Sequence, residues 1–208
     1  MAPPDPRPDP TRASWTDLAG DARGTTYDGR WEELAARGEA VHGEADLCAA
    51  LLGPDRRATV LDGGCGTGRV AIELARRGHR TVGLDRDRDL LARARAKAPD
   101  LRWVEADLLA TGDHLAPGTV DLAVLAGNVL VFVDPGTEAD VLGAMAATLA
   151  PGGLLVAGFQ VRPGGYGPAG LDRDAAAAGL ALRDRWATWD RDPWVAGGDY
   201  QVSVHARA

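Results

Sequence analysis

Apolar residues change their spacing along this chain near Thr59. Before that point, Trp31, Leu34 and Ala35 recur at helical intervals, and so do Ala45, Leu47, Ala50 and Leu51. Residues 14–52 therefore read as largely helical, with Gly53-Pro54 as the stop. Beyond Thr59, short apolar runs alternate with amphipathic stretches. Residues 59–61 begin a buried strand that breaks into glycines. Residues 69–77 predict a helix with Val70, Leu74 and Ala75 on one face, closed by Gly78. A second strand over 80–84 ends in Asp85, and a helix over 88–98 stops at Pro99. A third strand, 101–106, ends in Asp107, and a fourth, 120–125, is strongly apolar. Residues 137–150 predict a helix with a Thr137/Asp140 cap, and Pro151-Gly152-Gly153 turns the chain into a fifth strand, 154–159.

Strands separated by helices of this length form right-handed βαβ units on a mostly parallel sheet. A short helix near 172–178 is followed by extended segments at 180–190 and 200–206, split by Pro193 and Gly197-Gly198. They read as a hairpin, so the last strand should run antiparallel. Ligands of such sheets bind at the carboxyl ends of the strands. Asp62, Asp85, Asp107 and Gly127-Asn128 all fall at those ends.

The 208 residues suit one globular domain, and an apolar fraction of 45% supplies its core. A net charge of -7 argues against a nucleic-acid partner, which needs a basic face. Cys48 and Cys65 fit neither a zinc site nor a disulfide framework, so no metal is expected and a cytoplasmic location is. No apolar run has the length of a membrane span. Residues 1–13 are Pro-rich, lack the apolar core of a signal peptide and read as a disordered tail.

The glycines at 64, 66 and 68 follow a strand and open a helix, a loop that lets backbone N–H groups approach a ligand. Gly66, Gly68 and Ala71 also satisfy a dinucleotide pattern. Asp62 counts against a dinucleotide, because a carboxylate beside its phosphates would repel them. An acid there instead favours a ligand with an ammonium and a sulfonium. Asp85 suits a pair of ribose hydroxyls, as it would in a nicotinamide protein too. Asp107 can accept from an adenine amino group.

Five ordered segments together resemble the class I S-adenosylmethionine-dependent methyltransferases, in particular small bacterial members. They are Leu61-Asp62-Gly63-Gly64-Cys65-Gly66-Thr67-Gly68, Gly83-Leu84-Asp85, Glu105-Ala106-Asp107-Leu108, Asp121-Leu122-Ala123-Val124 and Leu149-Ala150-Pro151-Gly152-Gly153. The resemblance implies an α/β, Rossmann-like seven-stranded sheet, mostly parallel with an antiparallel last strand and helices on both faces. It implies a methyltransferase domain over 58–208 with a helical lid over 14–57. It also implies a glycine loop, Gly63, Gly64, Cys65, Gly66 and Gly68, that cradles the methionine part of S-adenosylmethionine. Asp62 would orient its amino group, Asp85 its ribose, and Asp107 with Leu108 its adenine edge, near Arg86. Gly127 and Asn128 would lie beside the reacting methyl. Gly127-Asn128-Val129 lacks the Asp/Asn-Pro-Pro-aromatic signature of nucleic-acid amino methylation.

Tyr27 and Trp31 are candidates to close over the cofactor, or else belong to a helix start and its packing. The methyl acceptor is expected to be a small molecule. His42 is the candidate general base, with His114 as a second. His79 stands at the wrong end of the sheet and His205 late in the last strand. Trp186, Trp189 and Trp194 are candidates for an acceptor pocket or for packing. The loop 161–170 is a candidate gate. Cys65 reads as a small loop residue, not a nucleophile. Two alternatives stay open at this point: a protein that binds S-adenosylmethionine without turnover, and a nicotinamide-dependent oxidoreductase.

Overall fold

The computed structural model describes residues 28–29, 33–34, 36–38, 41–54 and 57–208. Tyr27, Trp31 and the 1–13 tail lie outside the described residues. In chain order the elements are α1 (Gly43–Leu52), β1 (Thr59–Gly63), α2 (Arg69–Arg76), β2 (Arg80–Asp85), α3 (Arg88–Lys97) and β3 (Arg102–Glu105). A 3-10 turn at Leu108–Ala110 precedes α4 (Thr111–His114) and β4 (Val120–Leu125). Then come α5 (Val129–Phe132), α6 (Glu138–Thr148), β5 (Leu149–Gln160), α7 (Pro168–Ala177), β6 (Leu180–Trp186) and β7 (Tyr200–Arg207).

The seven strands form one sheet in the order β3-β2-β1-β4-β5-β7-β6. The pairs among β1 to β5 are parallel, and β7 is antiparallel to both β5 and β6. The expected reversed last strand is therefore present. The chain runs outward from β1 to β3 and returns past β1 to β4, so the topological switch falls between β1 and β4. Alternate strand residues feed two cores. Val60, Leu122, Val124, Val156, Val202 and Val204 pack with Leu47 and Cys48 of α1 and Val70 and Leu74 of α2. Leu61, Ala123, Leu125, Leu155 and Ala157 pack with Leu142 and Met145 of α6 and Leu171 of α7.

Several boundaries differ from those the pattern predicts, each for a local reason. The expected Thr137/Asp140 cap does not form. Thr137 has no side-chain cap bond, and its hydroxyl donates instead to the Asp134 carbonyl at 2.7 Å. α6 ends at Thr148, and Leu149 already pairs with Val120 as the start of β5. Pro151-Gly152-Gly153 is thus an irregularity inside β5, not a turn before it. Gly153 is required there, because a Cβ would stand 2.8 Å from the Ala150 carbonyl. α7 starts early because Pro168 occupies its first turn, where its missing N–H costs nothing. That shortens the loop expected at 161–170.

Candidate functional site

The chain leaves β1 at Gly63, and Gly64, Gly66 and Gly68 all take positive φ before α2 begins. Two of them are held by packing. A Cβ on Gly64 would stand 2.6 Å from Val129, and one on Gly68 would stand 2.4 Å from the Trp103 ring. Trp103 also fills the space over Gly83 of β2, where a Cβ would come within 2.3 Å, and its Nε1 donates to the Ala98 carbonyl at 2.8 Å. This tryptophan fixes the loop against β2. Sequence reasoning missed it, and the small residue Gly83 opposite Trp103 in the parallel register was the available signal. Gly66 differs from the others. Among the described residues only Leu90 approaches a Cβ placed there, at 3.8 Å. That is an ordinary contact, so the described residues do not crowd this glycine.

Carboxylates tie this loop down. Asp85, half-buried at the end of β2, accepts from Gly66 N at 2.7 Å and from Asp87 N at 2.8 Å. Burial raises its pKa, and those two N–H groups oppose the rise. Asp62, 2% exposed, accepts from Ala71 N at 3.0 Å, so it holds the first turn of α2. Burial pushes its carboxyl up to about 7; the Ala71 N–H and Arg69 oppose the shift, while Asp85 and Glu44 add to it. Cys65 is buried and its thiol is raised by burial and by Asp62 and Asp85, which leaves it inert. The small-residue reading of Cys65 fits this.

Around the loop, Thr67 Oγ1 donates to Asp28 Oδ1 at 2.6 Å, and Lys97 Nζ reaches the two oxygens of Asp28 at 3.0 and 3.2 Å. Arg69 binds Glu44 through both terminal nitrogens and donates to the Val41 carbonyl at 2.6 Å. Asp107 is the N-cap of the 3-10 turn, where its Oδ1 accepts from Leu109 N at 2.9 Å, and Leu108 is buried. Arg86 lies 3.8 Å from Asp107 and 4.0 Å from Asp134.

Past β4, Gly127 and Asn128 both take positive φ, and no described residue lies within 4 Å of a Cβ on Gly127. Asn128 bridges to β5. Its N–H donates to the Gly158 carbonyl at 3.3 Å, and its Oδ1 accepts from Gln160 N at 2.7 Å. Trp189 packs on Gly158, where a Cβ would meet its ring at 2.3 Å, and its Nε1 donates to the Tyr200 hydroxyl at 3.1 Å. The Cβ of Trp189 also faces Gly43 of α1. Trp194 stands elsewhere, with the Arg185 guanidinium 5.3 Å from its ring centre.

The histidines are dispersed. His42 is the N-cap of α1, and its Nε2 lies 3.9 Å from Glu73 of α2. His79 accepts from Ala58 N before β2, and burial lowers its pKa. His114 closes α4, and its carbonyl accepts from Arg102. His205 is buried against Asp172 at 3.1 Å. The structure thus brings Asp62, Gly66 and Asp85 together at the ends of β1 and β2, and sets Gly127, Asn128 and Trp189 at the ends of β4 and β5. Among the described residues no cluster of three or more His, Cys, Asp or Glu suits a metal ion, and no helix is long and apolar enough to cross a membrane.

A strand-end carboxylate over an uncrowded glycine, beside a buried acid, fits a cofactor that carries a ribose and a cationic end. The family-level comparison agrees. A methyltransferase domain model matches residues 60–153. Comparison with curated proteins finds no significant sequence match. Among solved structures, a TehB-like S-adenosylmethionine-dependent methyltransferase from Corynebacterium glutamicum is 33% identical, with a TM-score of 0.80 over 91% of this chain and 100% of that one. The chain belongs to the class I S-adenosylmethionine-dependent methyltransferases. S-adenosylmethionine is its methyl donor, and the nicotinamide and binding-only alternatives fall away. More distant structures share the fold. One is 1,6-didemethyltoxoflavin-N1-methyltransferase of Burkholderia thailandensis, at 22% identity and TM-score 0.64 over 90% of this chain and 86% of that one. Another is CalS10, an amino pentose methyltransferase from Micromonospora echinaspora, at 23% identity and TM-score 0.63 over 92% and 98%.

Proposed function

We propose that this methyltransferase modifies a small organic molecule and that the ends of β1 and β2 hold its cofactor. The observation that carries the assignment is the Asp85 carboxylate closing on Gly66 N at 2.7 Å, at a glycine that among the described residues only Leu90 approaches. In this reading Asp85 retains lone pairs for the ribose hydroxyls after accepting its two backbone bonds. Asp62 faces the cofactor's ammonium, and Gly63, Gly64, Cys65, Gly66 and Gly68 shape the cradle. Asp107 and Leu108 line the adenine edge with Arg86 alongside. Gly127 and Asn128 border the methyl. Tyr27 and Trp31 belong to the N-terminal segment, whose lid role is supported by the Asp28 contacts to Thr67 and Lys97.

When bound, S-adenosylmethionine supplies a methyl carbon activated by sulfonium; an acceptor lone pair bonds to it as the C–S bond breaks, leaving S-adenosylhomocysteine. The chain's part is to align the acceptor, exclude water and let the acceptor's proton leave. His42, with Glu73 at 3.9 Å, is the candidate to take that proton. The small acceptor is supported by the chain's net charge of -7 and by the small molecules that the toxoflavin and amino pentose enzymes methylate. A cytoplasmic location is supported by two free, buried cysteines. The test is calorimetric titration with S-adenosylhomocysteine, followed by the same titration on Asp85→Ala. Micromolar binding that drops at least about tenfold in the variant is expected. Unchanged affinity in the variant would remove the ribose assignment.

A further inference from the structure

On the face of the sheet that carries α1 and α2, Asp62 pairs with Val124 of β4, and Val124 pairs with Val156 of β5. Gly158 is two residues further along β5, on the same face. It therefore lies two strands over from Asp62 and one step nearer the carboxyl edge, about 12 Å away at ordinary sheet spacings. Just past β4, which lies between these two strands, Ala126 is two residues on from Val124 and carries only a methyl group, and Gly127 follows it.

Trp189 is held as a wall, not as a hydrogen-bonding group. Gly158 lacks the Cβ that would stand 2.3 Å from its ring, and Gly43 abuts its Cβ on the other side. Its single donor is spent on Tyr200 at 3.1 Å. The half-buried indole thus offers a ligand carbon surface and a π face only. Two neutral polar groups flank it. Tyr200 stands opposite Gln160 in the β5–β7 register, and the Gln160 side chain is exposed at the end of β5. Charged groups stand at both margins: Asp190 comes beside Trp189 against Gly43, and Arg162 donates to the Gln160 amide oxygen at 3.4 Å.

Resting on the methyltransferase site above, we propose that Trp189 is the specificity-determining residue of the acceptor pocket. It selects a planar, uncharged ring, such as a heteroarene or a phenol, that carries the nucleophilic atom. A flat ring gains stacking on the indole, and its heteroatoms meet the Tyr200 hydroxyl and the Gln160 amide with no buried charge of its own to desolvate. An anionic acceptor would meet Asp190, and a bulky saturated amine would forfeit the stacking.

The experiment titrates three probes into the protein saturated with S-adenosylhomocysteine, by calorimetry. The probes are 8-hydroxyquinoline (planar and neutral), benzoate (planar and anionic) and cyclohexylamine (cationic and saturated). Binding of 8-hydroxyquinoline alone is expected, weakened at least about tenfold in Trp189→Ala and within about threefold of wild type in Trp189→Phe. Both variants should bind S-adenosylhomocysteine within about twofold of wild type, since the indole stands outside the cofactor half. The inference is overturned by equal affinity in Trp189→Ala, by benzoate or cyclohexylamine binding as well as 8-hydroxyquinoline, or by no binding of 8-hydroxyquinoline at millimolar concentration. If S-adenosylhomocysteine itself fails to bind the wild type, the cofactor assignment falls first and takes the acceptor pocket with it.

Discussion

The two halves of the carboxyl edge are built by different means. At β1 and β2, carboxylates hold backbone N–H groups: Asp85 takes Gly66 and Asp87, and Asp62 takes Ala71. At β4, β5 and β7, Asn128 ties strand ends together and Trp189 fills the place of a missing Cβ on Gly158. The first half is charged and preorganised by main-chain bonds. The second is shaped by side chains from a distant hairpin, with Asp190 and Arg162 at its margins. On the proposed assignment the first half holds the methyl donor, which is the same for every member of the family and can be fixed in short local sequence. The second would hold the acceptor, which differs between enzymes, on a connection that can vary without disturbing the sheet.

The largest break in this comparison should come from Gly68→Ala. Its φ of 84° and the Trp103 ring 2.4 Å from a Cβ leave no place for a methyl. Loss of about 2–4 kcal/mol of stability by urea denaturation is expected, together with loss of S-adenosylhomocysteine binding. Full stability in the variant would show that Trp103 does not hold the loop.

Asp85→Asn separates anchoring from recognition. Its amide oxygen can still accept one of the two backbone bonds, so stability should fall by only about 1–2 kcal/mol. Affinity for S-adenosylhomocysteine, measured calorimetrically, should fall about tenfold or more.

Asp62 gives the β1 end a pH signature of its own. Its folded-state pKa of about 7 lies above the ordinary 3.8. Between those values the folded chain keeps a proton that the unfolded chain has released. Stability of the cofactor-free protein therefore falls as pH rises from about 4 to about 7 and stays lowered above that. Asp62→Asn cannot ionise, and its oxygen can still accept from Ala71 N. At pH 8 the variant should exceed the wild type by about 1–3 kcal/mol in urea denaturation, a gain that vanishes near pH 4. Binding of S-adenosylmethionine to the wild type should weaken below about pH 7, where the free site is protonated, and this slope should be missing in the variant.

The smallest effect is expected from His42→Ala. His42 is half-buried at the start of α1, and its Nε2 lies 3.9 Å from Glu73. A fall of at least about tenfold in turnover with an accepted substrate would support proton removal by His42. A change within about threefold would leave it as a surface contact between α1 and α2.

Much of this was legible in the chain. Asp62 and Asp85 stand at the ends of β1 and β2 where the apolar runs placed them, Asp107 stands two residues past β3, which stops at Glu105, and the last strand is reversed as the hairpin pattern required. Strand alternation and glycine loops are local properties, so local sequence reports them. Capping at Thr137 was misread because its hydroxyl found a competing carbonyl, Asp134, three residues back. Trp103 was missed because its partners, Gly68 and Gly83, become neighbours only when β2 and β3 pair, and Gly83 alone was a faint signal. Trp186, Trp189 and Trp194 lie within nine residues and look alike in sequence. The sequence by itself determined the sheet, the glycine loop and the acids at its edge, because φ preference, hydrophobic period and strand-end position act over a few residues. Which of the three tryptophans packs on the sheet at Gly158 was settled by long-range folding, and Trp189 is the one. That choice depends on how the β6–β7 connection folds back, and on the one strand position, Gly158, whose missing side chain admits an indole.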